Sequence, residues 1–260
     1  MIFDSHCHLD SRSYGGDAGV DEVIATARAA GVSRMLTVGA GYGDGSAQRA
    51  VEVARRHPGV WASVGIHPHD ARSLTDEVLA ALRALTTDPK VRAWGEIGLD
   101  FFYDLSEREV QRAAFRRQIR TALELRLPII IHDRDSAGET LDILREEQAF
   151  DGAGVLYHCY AGDVDAMREI VSLGGLISIP GTLTFRRSET TREVARLAPL
   201  PALLVETDAP FLTPEPLRGR RNEPCHIALT VDALAELRGM DRGELCAVTT
   251  ENACRFFQVP

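Results

Sequence analysis

Two histidines one residue apart, His6 and His8 in Asp4-Ser5-His6-Cys7-His8, directly follow the apolar Met1-Ile2-Phe3. Residues two apart on an extended strand share a face, so His6 and His8 present two imidazoles to one side while Cys7 faces the other. A His-x-His pair closing a strand is a start for a divalent metal site. Further candidates follow later apolar runs: His67 and His69 in Gly65-Ile66-His67-Pro68-His69, Glu96 in Trp94-Gly95-Glu96-Ile97, His132, His158, and Asp208 in Glu206-Thr207-Asp208-Ala209-Pro210. Of the eight histidines only His57 and His226 lie elsewhere, whereas a chance scatter would spread them over helices and loops. Singly, each has an ordinary explanation. A strand-end histidine is usually hydrogen-bonded, Glu96 can be a buried paired carboxylate, and Asp208 can cap the next segment. Jointly they bring carboxylates into a buried setting whose cost a divalent cation removes.

The elements that must position these residues are legible as eight short apolar runs: Ile2-Phe3, Met35 to Val38, Trp61 to Ile66, Ala93 to Ile97, Pro128 to Ile131, Gly154 to Tyr157, Leu176 to Ile179 and Leu203 to Val205. They are continuous rather than alternating, as in parallel strands buried on both faces. Amphipathic stretches near 19–30, 44–56, 75–86, 106–125, 136–149, 163–173 and 188–198 separate them, and a helix pair near 226–238 and 241–257 closes the chain. Thr75 with Glu77, Ser106 with Glu109 in capping-box spacing, and Asp163 read as helix starts, and Gly31 and Gly174 as ends. Eight such alternations in 260 residues predict one (β/α)8 TIM-type barrel spanning 1–260, with strand C-termini converging on one face. A doubly wound sheet is the alternative, but no Gly-x-Gly-x-x-Gly turn supports a dinucleotide fold.

Composition excludes some functions. A net charge of -9 argues against a protein that holds nucleic acid by bulk electrostatics, though not against an enzyme meeting one phosphodiester at a metal site. No segment approaches the roughly 20 apolar residues of a membrane span, and no signal peptide is read. Five cysteines without Cys-x-x-Cys read as reduced thiols, giving a cytoplasmic expectation.

Seven ordered motifs across essentially the whole chain resemble the TatD-type metal-dependent deoxyribonucleases of the amidohydrolase-like barrels. They are Ile2-Phe3-Asp4-Ser5-His6-Cys7-His8-Leu9-Asp10, Gly65-Ile66-His67-Pro68, Gly95-Glu96-Ile97-Gly98-Leu99-Asp100, Pro128 to Arg134, His158-Cys159-Tyr160-Ala161-Gly162, Leu203 to Pro210, and Arg218-Gly219-Arg220-Arg221-Asn222-Glu223-Pro224. Departures fall at Ser136, at Gly138 where an acidic residue is usual, and in the Tyr160-Ala161-Gly162 ending. The resemblance implies one metal on His6, His8, Glu96 and Asp208 and a second on Glu96, His132 and His158, with Glu96 bridging. Barrel hydrolases of this class often bridge with a carboxylated lysine ending strand four. Lys90, the only lysine, precedes that strand, so Glu96 takes the position.

Two divalent ions, Mg, Mn or Zn, roughly 3.5–4 Å apart would activate a water for attack on phosphorus. Asp208 is the candidate to orient that water or take its proton, His67, Arg134 and Asn222 the candidates for substrate contact, and Glu206 an orienter of a ligating histidine. Arg134 equally fits an ion pair with Asp133 or Asp135, and Asn222 a cap on the final helices. Phe101, Phe102, Tyr103 and Phe211 can stack on bases or line loop packing. The expected activity is exonucleolytic hydrolysis of a single-stranded DNA end by a monomer that does not bind membrane. Alternatives are hydrolysis of a small ester, amide or lactone, or of an aminoacyl ester on tRNA, and a barrel that binds metal without catalysis.

Overall fold

The computed structural model describes residues 1–40 and 45–260. Its strands are β1 (Ile2–Cys7), β2 (Val32–Gly39), β3 (Val60–Val64), β4 (Val91–Asp100), β5 (Ile129–Arg134), β6 (Val155–Tyr157), β7 (Leu176–Ile179) and β8 (Leu203–Val205). They pair in parallel, each with the next, in the order β1 to β8. Backbone contacts just past β8 join it to β1: Asp208 N–H donates to the His6 carbonyl at 2.9 Å, and His8 N–H to that of Ala209 at 2.7 Å. Helices α1 (Asp17–Ala29), α2 (Ser46–Arg56), α3 (Asp76–Leu85), α4 (Arg108–Leu125), α5 (Glu139–Glu146), α6 (Val164–Ser172), α7 (Glu189–Leu197), α8 (Ile227–Arg238) and α9 (Arg242–Phe257) surround the strands. The protein is a (β/α)8 barrel. Among the described residues, no helix is long and apolar enough to cross a membrane.

Packing decides which end of the barrel is free for chemistry. Phe3, Leu36, Trp61, Ala93, Ile130, Leu156 and Leu204, one from each of seven strands, form an inner apolar cluster with Phe256, Phe257 and Val259 from the end of α9 and beyond. This cluster fills the end where the strands begin. Neighbouring strand residues such as Ile2, Cys7, Met35, Trp94 and Ile129 belong to the larger cluster under the helices. The opposite end, where the strands finish, carries the polar residues. The observed strands run past their apolar runs at that end, β1 to Cys7 and β4 to Asp100, because polar residues continue the ladder.

Two start signals hold: Thr75 accepts from Val78 N–H and Asp163 from Ala166 N–H. Gly31 and Gly174 follow α1 and α6 with their N–H groups on the carbonyls of Arg28 and Val171. Ser106 departs from expectation, because α4 starts after Glu107 with no side-chain cap and the Ser106 hydroxyl instead donates to the His69 carbonyl at 2.7 Å. The stretch 136–149 is α-helical only over Glu139–Glu146, preceded by Gly138 in the left-handed region, and a 3-10 turn starts at Ala149. Residue 44, the expected start of the 44–56 helix, lies outside the described residues.

Candidate metal centre and active site

Strand β4 sets the geometry. Its pairing with β5 gains one residue between Trp94 and Ile97, a bulge that re-aims the side chains there. Gly98 makes the close approach possible: its φ is +150°, and a Cβ there would stand 1.8 Å from the His132 carbonyl oxygen. Glu96, 3% exposed, thereby reaches the centre of a histidine ring system.

Its two oxygens face different partners. Oε2 lies 3.4 Å from His6 Nε2 and 3.9 Å from His8 Nε2. Asp208 joins that side, with Oδ1 3.3 Å from His8 Nε2 and 3.7 Å from His6 Nε2. Oε1 lies 2.7 Å from His132 Nδ1, 2.8 Å from His158 Nε2 and 3.4 Å from His67 Nε2. The donor atoms of His6, His8 and Asp208, of His6, Glu96 and His158, and of His67, Glu96 and His132 each lie within 4.8 Å of one another, close enough to hold an ion. His6 is fully buried, yet neither ring nitrogen has a hydrogen-bond partner of good geometry among the described residues. Buried polar atoms left so are rare, and a cation beside them accounts for it.

The electrostatics agree with a ligand set. Burial lowers the pKa of His6, with the neighbouring His158 adding to it, so its ring is neutral and its lone pair available. Burial also lowers His67, to about 4. For Glu96 burial works upward, but the charges of His158 and His67 and the bonds from His132 and His158 hold it well below the usual carboxylate range. Burial opposes the charge on His8 too, but Asp208 outweighs it and raises the imidazole to about 9.

Other sequence candidates fall into place differently. Glu206 is buried, takes the Cys159 N–H at 2.7 Å and sits 3.3 Å from His158 Nδ1. His67 was expected to touch substrate; it lines the cavity and also stands inside the donor cluster. Arg134 lines the cavity with its guanidinium 4.0 Å from the Phe102 ring centre and 4.7 Å from that of Tyr103, and it forms no ion pair among the described residues. Asn222 corrects the expectation of substrate contact. It is fully buried, its amide donates to the Thr207 and Phe211 carbonyls at 2.9 and 2.6 Å, and its oxygen accepts from Glu223 N–H. It therefore braces the loop that carries Asp208. Phe101 is buried under Arg108, while Tyr103 and Phe211 line the cavity of about 770 Å³. Lys90 binds the carbonyls of His57 and Val60 before β4 begins, at the far end.

Asp100 was given no role by the sequence, and His69 was counted among the strand-end histidines without a specific one. Asp100 Oδ2 lies 2.8 Å from His69 Nε2 and 3.1 Å from His132 Nε2, so it holds the nitrogen of His132 that faces away from Glu96. Gln111 fixes Asp100 in turn, accepting its N–H at 2.9 Å and donating to its carbonyl at 3.1 Å. The signal was available: Glu96, Gly98 and Asp100 alternate on one strand face, as His6 and His8 do.

A parallel (β/α)8 barrel whose mouth gathers histidines and carboxylates defines the class of metal-dependent barrel hydrolases. Residues 3–258 match the family of TatD related DNases. The chain is 40% identical over 259 residues to the uncharacterized metal-dependent hydrolase YabD of Bacillus subtilis, covering 100% of both chains. It is 39% identical over 264 residues to the 3′-5′ ssDNA/RNA exonuclease TatD of Erwinia tasmaniensis, covering 99% of this chain and 100% of the other. The crystal structure of YjjV, a TatD homologue from Escherichia coli K12, superposes with a TM-score of 0.91 at 30% identity, covering 100% of this chain and 98% of that one. The chain belongs to the TatD-related DNase family of metal-dependent hydrolases.

Proposed function

We propose that this protein hydrolyses phosphodiester bonds at the end of a single strand, DNA foremost, with two divalent ions held at the barrel mouth. The observation that carries the reading is Glu96, whose two oxygens face two separate donor sets. His6, His8, Glu96 and Asp208 would hold one ion, and Glu96, His132 and His158 the other; all-imidazole and carboxylate donors suit Zn or Mn and also admit Mg. When bound, the ions supply Lewis acidity toward a phosphoryl oxygen and lower the pKa of water.

The chain's own groups do the rest. Asp208, kept ionised by His8 although burial works the other way, takes the proton of the attacking water at its carboxylate. Arg134, held flat by Phe102 and Tyr103, offers its fork to phosphate oxygens. Tyr103 and Phe211 offer ring faces to bases on either side of the cavity. A deep mouth admits a strand end more readily than the interior of a duplex. The relatives named as ssDNA/RNA exonucleases support the same substrate class.

The test is a substrate profile: single-stranded and duplex oligonucleotides beside carboxylic esters, amides, lactones and aminoacyl-tRNA. The proposal expects mononucleotides from single strands and at least tenfold less from duplex interiors. Intact oligonucleotides together with brisk ester, lactone or aminoacyl-tRNA hydrolysis would replace it.

A further inference from the structure

The acid excess of this chain, 38 Asp and Glu against 29 Lys and Arg, gives an exposed arginine an abundance of partners. Several on the helices use them: Arg116 pairs with Glu146 and Glu147, Arg120 with Glu147, and Arg242 with Asp232. Two loops at the mouth carry four arginines without such a partner. Arg186 and Arg187 between β7 and α7, and Arg218 and Arg220 between β8 and α8, are all exposed and form no ion pair among the described residues. Of the nearby acids, Glu189 at the start of α7 is taken by Arg192 and Glu223 by Arg221, Glu206 and Asp208 lie beside the histidines of the centre, and Glu215 remains.

The two loops are joined rather than merely near. Glu215 N–H donates to the Thr184 hydroxyl at 2.9 Å, the Arg218 guanidinium lies 4.3 Å from the Phe185 ring centre, and a Cβ on Gly181 would meet the Leu212 carbonyl oxygen at 2.7 Å. Arg192 of α7 donates to the carbonyls of Phe185 and Arg186, fixing the first loop's backbone. Thr213 donates to the Arg220 carbonyl at 2.6 Å, fixing the second. Thr182, Phe211 and Leu212, which belong to the same two loops, line the cavity. Unpaired positive charge is thus mounted on a braced surface that continues outward from the metal centre.

We infer that Arg186, Arg187, Arg218 and Arg220 form a track for the phosphates of a single-stranded nucleic acid whose end lies at the metal centre. The inference rests on the hydrolytic reading of that mouth and adds where the body of the strand runs. Each phosphate so neutralised contributes about 0.7 to the slope of log affinity against log salt for a single strand, so four arginines account for about 2 to 3. A local track also reconciles an anionic substrate with a net charge of -9, because at ~0.15 M ionic strength charges beyond about 8 Å are screened.

The experiment measures binding of 5′-fluorescein phosphorothioate dT20 and dT3 in Mg²⁺ by anisotropy across a salt series, beside cleavage of the ordinary phosphodiester dT20. The protein is compared with the fourfold variant Arg186→Gln, Arg187→Gln, Arg218→Gln, Arg220→Gln. A second variant, R186Q/R187Q, spares Arg218, which packs on Phe185. A charge-matched control replaces Arg83, Arg116, Arg120 and Arg168 by Gln. The track predicts at least tenfold weaker dT20 binding in the fourfold variant, a salt slope smaller by about 2 to 3, an intermediate loss in R186Q/R187Q, and less than threefold loss for dT3. It also predicts less than twofold change in the control. A loss for dT20 below threefold, or an equal loss in the control, overturns the track. Arginine-dependent binding with no cleavage of any strand keeps the track and removes the hydrolytic reading. Cleavage unaffected by the variants removes the track and leaves that reading in place.

Discussion

Glu96 is the residue on which the two donor sets depend, and its ionisation in the metal-free chain is held by histidines that a metal must compete for. His8 stands protonated at neutral pH with its pKa raised to about 9, and the pKa of His158 is raised well above the imidazole value despite its burial, by Glu96 and Glu206. Ligation needs neutral imidazole, so metal uptake must expel these protons. Metal affinity is therefore expected to rise from pH 6 to 9. Calorimetry at pH 7 in two buffers of different ionisation enthalpy should show net proton release on metal binding; a heat independent of buffer would contradict this protonation scheme. Glu96→Gln keeps the shape and removes the charge between the two donor sets. It is expected to retain its fold, by circular dichroism, and to lower turnover at least a thousandfold. A residual activity above a tenth of wild type would show that the carboxylate is not central.

Strand β4 is the element that makes the centre possible, through its bulge and its glycines. A Cβ on Gly98 would overlap the His132 carbonyl, and β5 cannot retreat without breaking its own ladder to β6. Gly98→Ala is expected to lower stability by about 3 kcal/mol or more, read as urea midpoint. A midpoint equal to wild type would mean that β4 and β5 are looser than described. Asp100 works through the same strand. Asp100→Asn should leave the fold intact but raise the dissociation constant for metal at the His132 donor set about 10- to 100-fold, because His132 loses its Asp100 partner. Unchanged metal binding by equilibrium dialysis would remove that positioning role. Strand and helix order were legible because parallel strands here are short apolar runs between strongly amphipathic helices. The His6–His8 face was legible because strand period alone determines it. What was hidden depended on contacts between distant segments. Ser106 reaches the His69 carbonyl rather than capping α4, and Asn222 braces the Asp208 loop rather than meeting substrate. Asp100 shares the strand face of Glu96, but it gains its partners only when β5 and the loop after β3 come together.

At the scale of the whole molecule, the inner apolar cluster and α9 close one end of the barrel and leave the other to a polar centre whose charges set the stability profile. The His8 imidazole, raised to about 9, contributes stability below its unfolded value of 6.5 and loses it as pH rises through 9. Asp4, pushed up to about 8 chiefly by burial, gives a slope of the same sign between 3.8 and 8. The metal-free chain should therefore melt at progressively lower temperature from pH 6.5 to 9, and metal should reverse the slope because ligation strengthens over that range. Parallel melting curves with and without metal would refute the coupling of the centre to the fold. The most direct test of the central claim is end-labelled single-stranded DNA, 3′ and 5′ separately, incubated with metal-stripped protein, with protein restored with Mg²⁺, Mn²⁺ or Zn²⁺, and with restored Glu96→Gln. The account predicts no cleavage without metal, a ladder growing from one end with metal, and its loss in the variant. Metal bound at two per chain with every strand left intact would contradict it.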